Sequence, residues 1–117
     1  MQEITASAQI EFPDFIKVDI RTGTIVQAQL NPMAKKPAYV LTIDFGGLGV
    51  KTSSAQLTEN YAEHDLLGKQ VIAVVNFPPK RVAGIVSEVL VLAAVSETYG
   101  TVLLEPGMRV ENGVRIA

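Results

Sequence analysis

Residues 74–92 read VVNFPPKRVAGIVSEVLVL, and the fold turns on how this stretch divides. An apolar run ends at Val75, and a second, β-branched run begins at Val86. Between them lie Asn76, the double proline Pro78-Pro79, the basic pair Lys80-Arg81 and Gly84. Apolar, β-branched runs bounded by such residues read as strands joined by a loop. The prolines fix their own φ angles, so the loop is stiff as well as basic. Two buried strands carrying a stiff charged loop are the pattern of a scaffold that presents a binding loop.

Upstream, the pattern is β from Ile16 to about Leu30: Val18, Ile20, Thr22, Thr24 and Val26 share one parity. The run is long for one strand, and Gly23 in its middle predicts a bulge or sharp bend. Such a bend suits a small barrel in which one strand joins both halves of the sheet. Asn31-Pro32 ends the run, and the loop NPMAKKPA carries Lys35-Lys36 between two prolines. Residues 39–45 (YVLTIDF) predict a second strand, Gly46, Gly47 and Gly49 a hairpin turn, and residues 50–55 a third strand. Asn60, with Glu63 three residues on, reads as an N-cap, predicting a helix to Leu67 stopped by Gly68. Residues 70–75 and 86–95 are the fourth and fifth strands. Short β pieces follow at 101–104, 108–110 and 114–116, with turns at 105–107 and 112–113. Residues 1–15, with acidic Glu3 and Glu11, form a short helical or irregular lead-in that Pro13 breaks. Phe12 and Phe15 are expected to pack it onto the body.

Three strands, a short helix, then two strands is the order of the oligonucleotide/oligosaccharide-binding (OB) fold, an all-β, five-stranded barrel with its helix between strands three and four. Ligands of such barrels bind across strands two and three and the loops between strands one and two and strands four and five. The adjacent basic pairs, Lys35-Lys36 and Lys80-Arg81, fall in those two loops. Strand order and charge placement are independent features, and together they favour an anionic or nucleic-acid ligand.

Composition narrows the alternatives. The chain has 117 residues, 48% hydrophobic and 19% charged, which suits one globular domain over residues 1–117 with extensions at 1–15 and 96–117. There is no repeat and no linker. Without cysteine there is no disulfide scaffold, thiol nucleophile or thiolate-bound zinc. His64 is the only histidine; its carboxylate neighbours Glu63 and Asp65 do not share its helix face, so it reads as a surface residue. No phosphate loop, dinucleotide fingerprint, metal spacing or acid/base pair is present. No enzyme, cofactor or metal is expected. Neither a signal peptide nor a spanning segment is evident, so no membrane insertion is expected and the cytoplasm is the default location. The net charge of −2 argues against general nucleic-acid binding and leaves local basic patches as the route.

Lys35, Lys36, Lys80 and Arg81 are candidate phosphate ligands; the alternative is solvated loop charge, the common fate of exposed lysines. Lys51 and Arg21 extend the patch. Ser53, Ser54 and Gln56, at the polar end of the third strand, either donate to a ligand or satisfy turn and cap positions. Asn76 either binds at the barrel rim or ends its strand in an Asx-turn, and Ser87 is equally open. Phe77 is a stacking candidate whose expected role is core packing.

Several ordered motifs carry a resemblance over about residues 12–114. They are Phe15-x-Lys17-Val18-Asp19-Ile20-Arg21-x-Gly23-Thr24-Ile25, Lys36-Pro37-Ala38-Tyr39, Ile43-Asp44-Phe45-Gly46, Ser53-Ser54-Ala55-Gln56-Leu57-Thr58 and Val74-Val75-Asn76-Phe77-Pro78-Pro79-Lys80. Together they resemble the bacterial CsaA proteins, small dimeric chaperone-like proteins linked to secretion. Those belong to a wider tRNA-binding OB family that includes the C-terminal domain of methionyl-tRNA synthetase. Stand-alone tRNA binders of that family typically show Ser-x-Gly-Met where this chain has Ser87-Glu88-Val89-Leu90, which is similar to CsaA. The resemblance implies a homodimer, with the lead-in and the tail after Val95 on the partner. It implies two activities: binding of unfolded or exported client chains in connection with the secretion machinery, and binding of tRNA. A tRNA-binding accessory protein without clients, and a protein-interaction module that kept the fold, are the alternatives.

Overall fold

In chain order the elements are α1 (Phe12–Ile16), β1 (Ile20–Leu30), β2 (Tyr39–Asp44), β3 (Val50–Ala55), α2 (Glu63–Leu66), β4 (Gln70–Val74), β5 (Lys80–Val82), β6 (Ile85–Ser87), β7 (Leu90–Val91), β8 (Ala93–Ser96) and β9 (Gly100–Leu103) in the computed structural model, which describes residues 4–117. The main sheet runs β3-β2-β1-β4-β7, and every pairing in it is antiparallel.

β1 serves both halves of that sheet. Its residues 20–24 pair with β4 and its residues 24–30 with β2, the two ladders meeting at Thr24. The predicted bend lies at this crossover. A Cβ on Gly23 would stand 2.7 Å from both Ile43 Cγ2 and the Phe45 ring, so a hydrogen is all that fits where the sheet folds over its core. The register slips between Ile25 and Gln27, leaving Val26 as an outward bulge. Inside, Ile25, Leu41, Ile43, Phe45, Leu66 and Val71 are fully buried. Burial of each such side chain favours folding by roughly 1.5–3 kcal/mol.

The barrel closes between β3 and residues 87–89, and side chains make much of the seam. The Glu88 amide donates to the Thr52 carbonyl (2.7 Å), and the Thr52 amide donates to Glu88 Oε1 (3.1 Å). The Ser54 amide donates to Ser87 Oγ (3.0 Å), and Ser53 Oγ donates to the Val89 carbonyl (3.0 Å). The result is the expected all-β OB barrel, five-stranded and nearly closed, with α2 between the third and fourth strands.

Four local expectations change. The lead-in forms one helical turn in which Pro13 sits near the N-terminus, where its missing N–H costs no hydrogen bond, so proline starts this helix. Phe12 does not pack on the body; it is 72% exposed and approaches the Phe15 ring with centroids 6.5 Å apart. Glu3 lies outside the described residues. Asn60 is not a helix cap. The α2 turn begins after Ala62, whose amide is held by Asp65 (2.8 Å), while Asn60 Nδ2 donates to the carbonyls of Tyr99 (2.7 Å) and Thr101 (2.9 Å). Gly68 stops the helix as expected, with φ +81°. The fifth strand is divided: Ile85–Ser87 belongs to a hairpin with β5, Leu90–Val91 to the barrel, and Ala93–Ser96 to a second hairpin with β9. Finally, residues 108–110 form no strand, and the chain end lies along β1 instead. The Thr22 amide donates to the Val114 carbonyl (3.0 Å), the Gly113 amide to the Thr22 carbonyl (2.8 Å), and the Ile116 amide to the Ile20 carbonyl (2.8 Å).

Candidate nucleic-acid interface

The two basic loops touch. Asn31 folds its loop by accepting from the Met33 amide (3.0 Å), and its Nδ2 donates to the Ala83 carbonyl in the β5–β6 turn (3.1 Å). A Cβ on Gly84 would lie 2.9 Å from Met33 Sδ, so the turn also packs against that loop. Lys35-Lys36 and Lys80-Arg81 are therefore carried on two supports in direct contact. All four side chains are exposed, and none forms an ion pair with another described residue.

The loop after β4 is itself a hairpin. Pro78-Pro79 lead into β5, and Lys80 pairs with Ser87, Arg81 with Val86 and Val82 with Ile85. Successive strand residues point to opposite faces, so Lys80 and Arg81 diverge. Lys80 lines a groove of about 580 Å³ with Gln56, Phe77, Pro78, Ser87 and Leu90, whereas Arg81 does not line it. A second depression, of about 310 Å³, shares Ser54, Gln56 and Leu90 and continues toward Thr101. Among the described residues the only carboxylate on the first groove is Glu88, and it is engaged by the Thr52 amide and, at 4.0 Å, by Lys51 Nζ. The rim is thus basic at Lys80 and the wall largely apolar.

The proposed site residues separate into three sets. Lys80, Ser54, Gln56 and Ser87 share the groove, with Lys35 and Lys36 on the neighbouring loop. Ser53 is 0% exposed and its hydroxyl faces Val89, inside the barrel seam. Asn76 sits at the far end of β4, where its Oδ1 accepts from the Asp19 amide (2.9 Å) and its Nδ2 donates to the Lys17 carbonyl (2.7 Å). These bonds tie the end of β4 to the start of β1, an arrangement different from an Asx-turn. Arg21 is likewise engaged, by the Asp19 carboxylate (2.6 Å) and the Gly113 carbonyl (3.0 Å).

Phe77 departs from its expected role in the core. It is 52% exposed and lines the groove. The signal was present in the sequence: the ring precedes two prolines, whose fixed φ angles carry the chain away from the strand end. Glu88 as a seam residue and Leu90, 49% exposed on the groove, had no such signal.

Elsewhere, His64 is on the surface as expected, although its Nε2 does reach Asp65 Oδ1 (3.4 Å). Lys69 donates to Glu105 (2.7 Å), and this hydrogen bond raises its pKa above the usual lysine value. Among the described residues no group of three or more His, Cys, Asp or Glu is placed to hold a metal ion, and no helix is long and apolar enough to cross a membrane.

Comparison with known proteins agrees with this architecture. The tRNA binding domain family model matches residues 20–115. The chaperone CsaA of Bacillus anthracis is 53% identical with a TM-score of 0.89, over 94% of this chain and 100% of that one. The CsaA chaperone protein of Picrophilus torridus is 49% identical with a TM-score of 0.88, over 93% and 100% of the two chains. The methionine–tRNA ligase of Bacteroides fragilis is 36% identical over 109 residues, which are 93% of this chain and 16% of the ligase. With two loops of exposed cations on an OB barrel, and with the family match running from β1 to the chain's last bridge to it, the chain belongs to the tRNA binding domain family, with the CsaA chaperones among its structural neighbours.

Proposed function

We propose that the protein is a non-enzymatic, homodimeric chaperone of the CsaA type that binds unfolded or preprotein chains in connection with export, acts in the cytoplasm, and also binds tRNA. One observation carries the tRNA part: Lys35, Lys36, Lys80 and Arg81 are exposed and form no ion pair with another described residue, on two touching supports beside the groove, while Glu88, the carboxylate among the groove's described lining residues, is already engaged. Cations without internal partners are free to displace counterions from a phosphate backbone. Ser54, Gln56 and Ser87 supply the polar part of the same rim, with Lys51 behind Glu88. Ser53 and Asn76 act indirectly, by holding β3 and β4 in place.

The client-binding part is supported by exposed apolar side chains. Ile10, Phe12, Tyr99, Leu104 and Met108 are between 41% and 76% exposed, large apolar side chains that a partner could cover. Part of it suits a two-fold interface, and part suits an unfolded chain. A dimer places two sets of basic loops on one particle and lengthens the track for an RNA.

Titration with tRNA over a series of salt concentrations tests the first part. Binding should weaken steeply with salt, and Lys80→Ala/Arg81→Ala should lower the log–log slope by about 0.7–0.9 for each phosphate that is no longer neutralised. Affinity indifferent to salt and to both substitutions would remove the phosphate loops from the mechanism. The second part is tested by suppression of aggregation of an unfolded client at stoichiometric levels. Salt-dependent tRNA binding with no effect on any client would favour a tRNA-binding accessory protein, the reading that the family match by itself supports.

A further inference from the structure

We infer that the groove beside Lys80 holds an unpaired nucleotide of the bound RNA, its base stacked on Phe77 and its phosphate at Lys80. This rests on the tRNA-binding reading and adds a ligand class to it: single-stranded or terminal nucleotides, in addition to the duplex backbone. The groove has the size of a small-ligand site, about 580 Å³. Its wall combines an aromatic ring, 52% exposed, with two prolines that hold the segment rigid. A ring left half in water at a stiffened position is ready to stack without first being ordered. Bases stack on such rings with little regard to sequence, because every base has a π-face.

The polar groups match the rest of a nucleotide. Lys80 is the cation of the rim, and it is unpaired among the described residues. The Gln56 amide is exposed, makes no hydrogen bond with a described residue, and offers the donor and acceptor that a base edge requires. Glu88, the group that would repel a phosphate, is turned into the seam toward Thr52 and Lys51. This charge pattern favours an anionic nucleotide over an apolar peptide, whose backbone would need an edge or further polar partners along the groove. The division of labour follows from strand geometry: Arg81, on the opposite face of β5, remains for the duplex backbone.

The test compares a blunt RNA duplex with the same duplex carrying a short single-stranded 3′ overhang labelled with 2-aminopurine, using the full chain. The overhang should tighten binding roughly tenfold and quench the fluorophore. Phe77→Leu should abolish that gain and the quenching while leaving the blunt duplex bound as before, and Phe77→Tyr should restore both. Lys80→Ala should weaken the overhang more than the blunt duplex, and Arg81→Ala the reverse. If the duplex binds with its salt dependence and the overhang adds nothing, or Phe77→Leu keeps the gain, the groove assignment is overturned and the phosphate reading survives. If no RNA binds, both are overturned. If an unlabelled apolar peptide alone occupies the groove, seen as Phe77-dependent peptide binding with no response to overhangs, the groove belongs to clients and the assignment is overturned.

Discussion

Ser53 shows how a polar side chain can be placed by its surroundings and not by a ligand. Its hydroxyl is sealed from water and bonds the Val89 carbonyl across the gap between β3 and β7. Ser53→Ala leaves that buried carbonyl with only the long contact from the Ser87 hydroxyl (3.5 Å), so stability should fall by about 1–3 kcal/mol in urea titration. Asn76→Ala removes a donor and an acceptor that join β4 to the start of β1. Its site is exposed and water can replace the missing partners, so the expected cost is smaller, about 1 kcal/mol. Both residues stand near a basic residue in the sequence and are candidates there for a ligand rim. Their actual partners lie 36 and 57 positions away. Local spacing carries no information about pairing at that separation, which is why their partners could not be read, whereas the exposure of lysines in turn-bounded loops could be.

At the scale of elements, β1 and the β5–β6 hairpin make opposite cases. The bend of β1 was legible because a glycine inside a β-branched run weakens the strand, and is placed there when the backbone must bend or approach a neighbour closely. The structure supplies the cause in Ile43 and Phe45, 2.7 Å from where a Cβ would be. Gly23→Ala should therefore cost about 1–3 kcal/mol, and more if the strand cannot shift. The hairpin was not legible. Its two-residue turn is Ala83-Gly84, with φ +46° and +84°, the type I′ form that asparagine or glycine usually occupies at its first position. Alanine in that conformation is strained by about 1–2 kcal/mol. It hides the turn from a reading based on turn-forming residues, which leaves Ile85 in the loop and joins residues 86–87 to the strand after them. Ala83→Asn should relieve part of the strain, raise the unfolding midpoint and leave the Asn31–Ala83 hydrogen bond in place, since that bond uses the backbone carbonyl. A fall in stability would show that the side chain at position 83 makes a contact that matters more than the turn.

For the whole molecule, the chain after β7 does two separable things. Its last part completes the barrel wall: residues 111–116 lie along β1 with Glu111 and Val114 bonded to Thr22, Asn112 Oδ1 accepting from Thr24 Oγ1 (2.7 Å), and Gly113 packed so closely on Phe45 that a Cβ would lie 2.6 Å from its carbonyl oxygen. Apolar periodicity in the sequence marked this segment as β-like, while its partner strand, the free side of β1 before the crossover, depended on a bend that only the folded chain makes definite. The earlier part, the β8–β9 hairpin, is pinned to the body by Asn60 and by the Leu103 amide donating to the Tyr61 hydroxyl (3.0 Å), and it turns Tyr99 outward, 74% exposed. If the dimer proposal holds, these parts respond differently to change. Truncation after Val110 strips the buried Thr22 hydroxyl of Glu111 and Val114 and takes Asn112 from Thr24 and Gln70, which keep Arg109 and Val110, and it should cost about 3–5 kcal/mol, whether or not the protein is assembled. Tyr99→Arg alters no buried side chain and should leave the unfolding midpoint of the dissociated chain unchanged, yet charge placed in an apolar interface should shift light-scattering mass toward the monomer. A Tyr99→Arg protein that stays dimeric at low concentration would place the interface elsewhere, on the lead-in around Ile10 and Phe12, where Phe12→Arg repeats the same measurement.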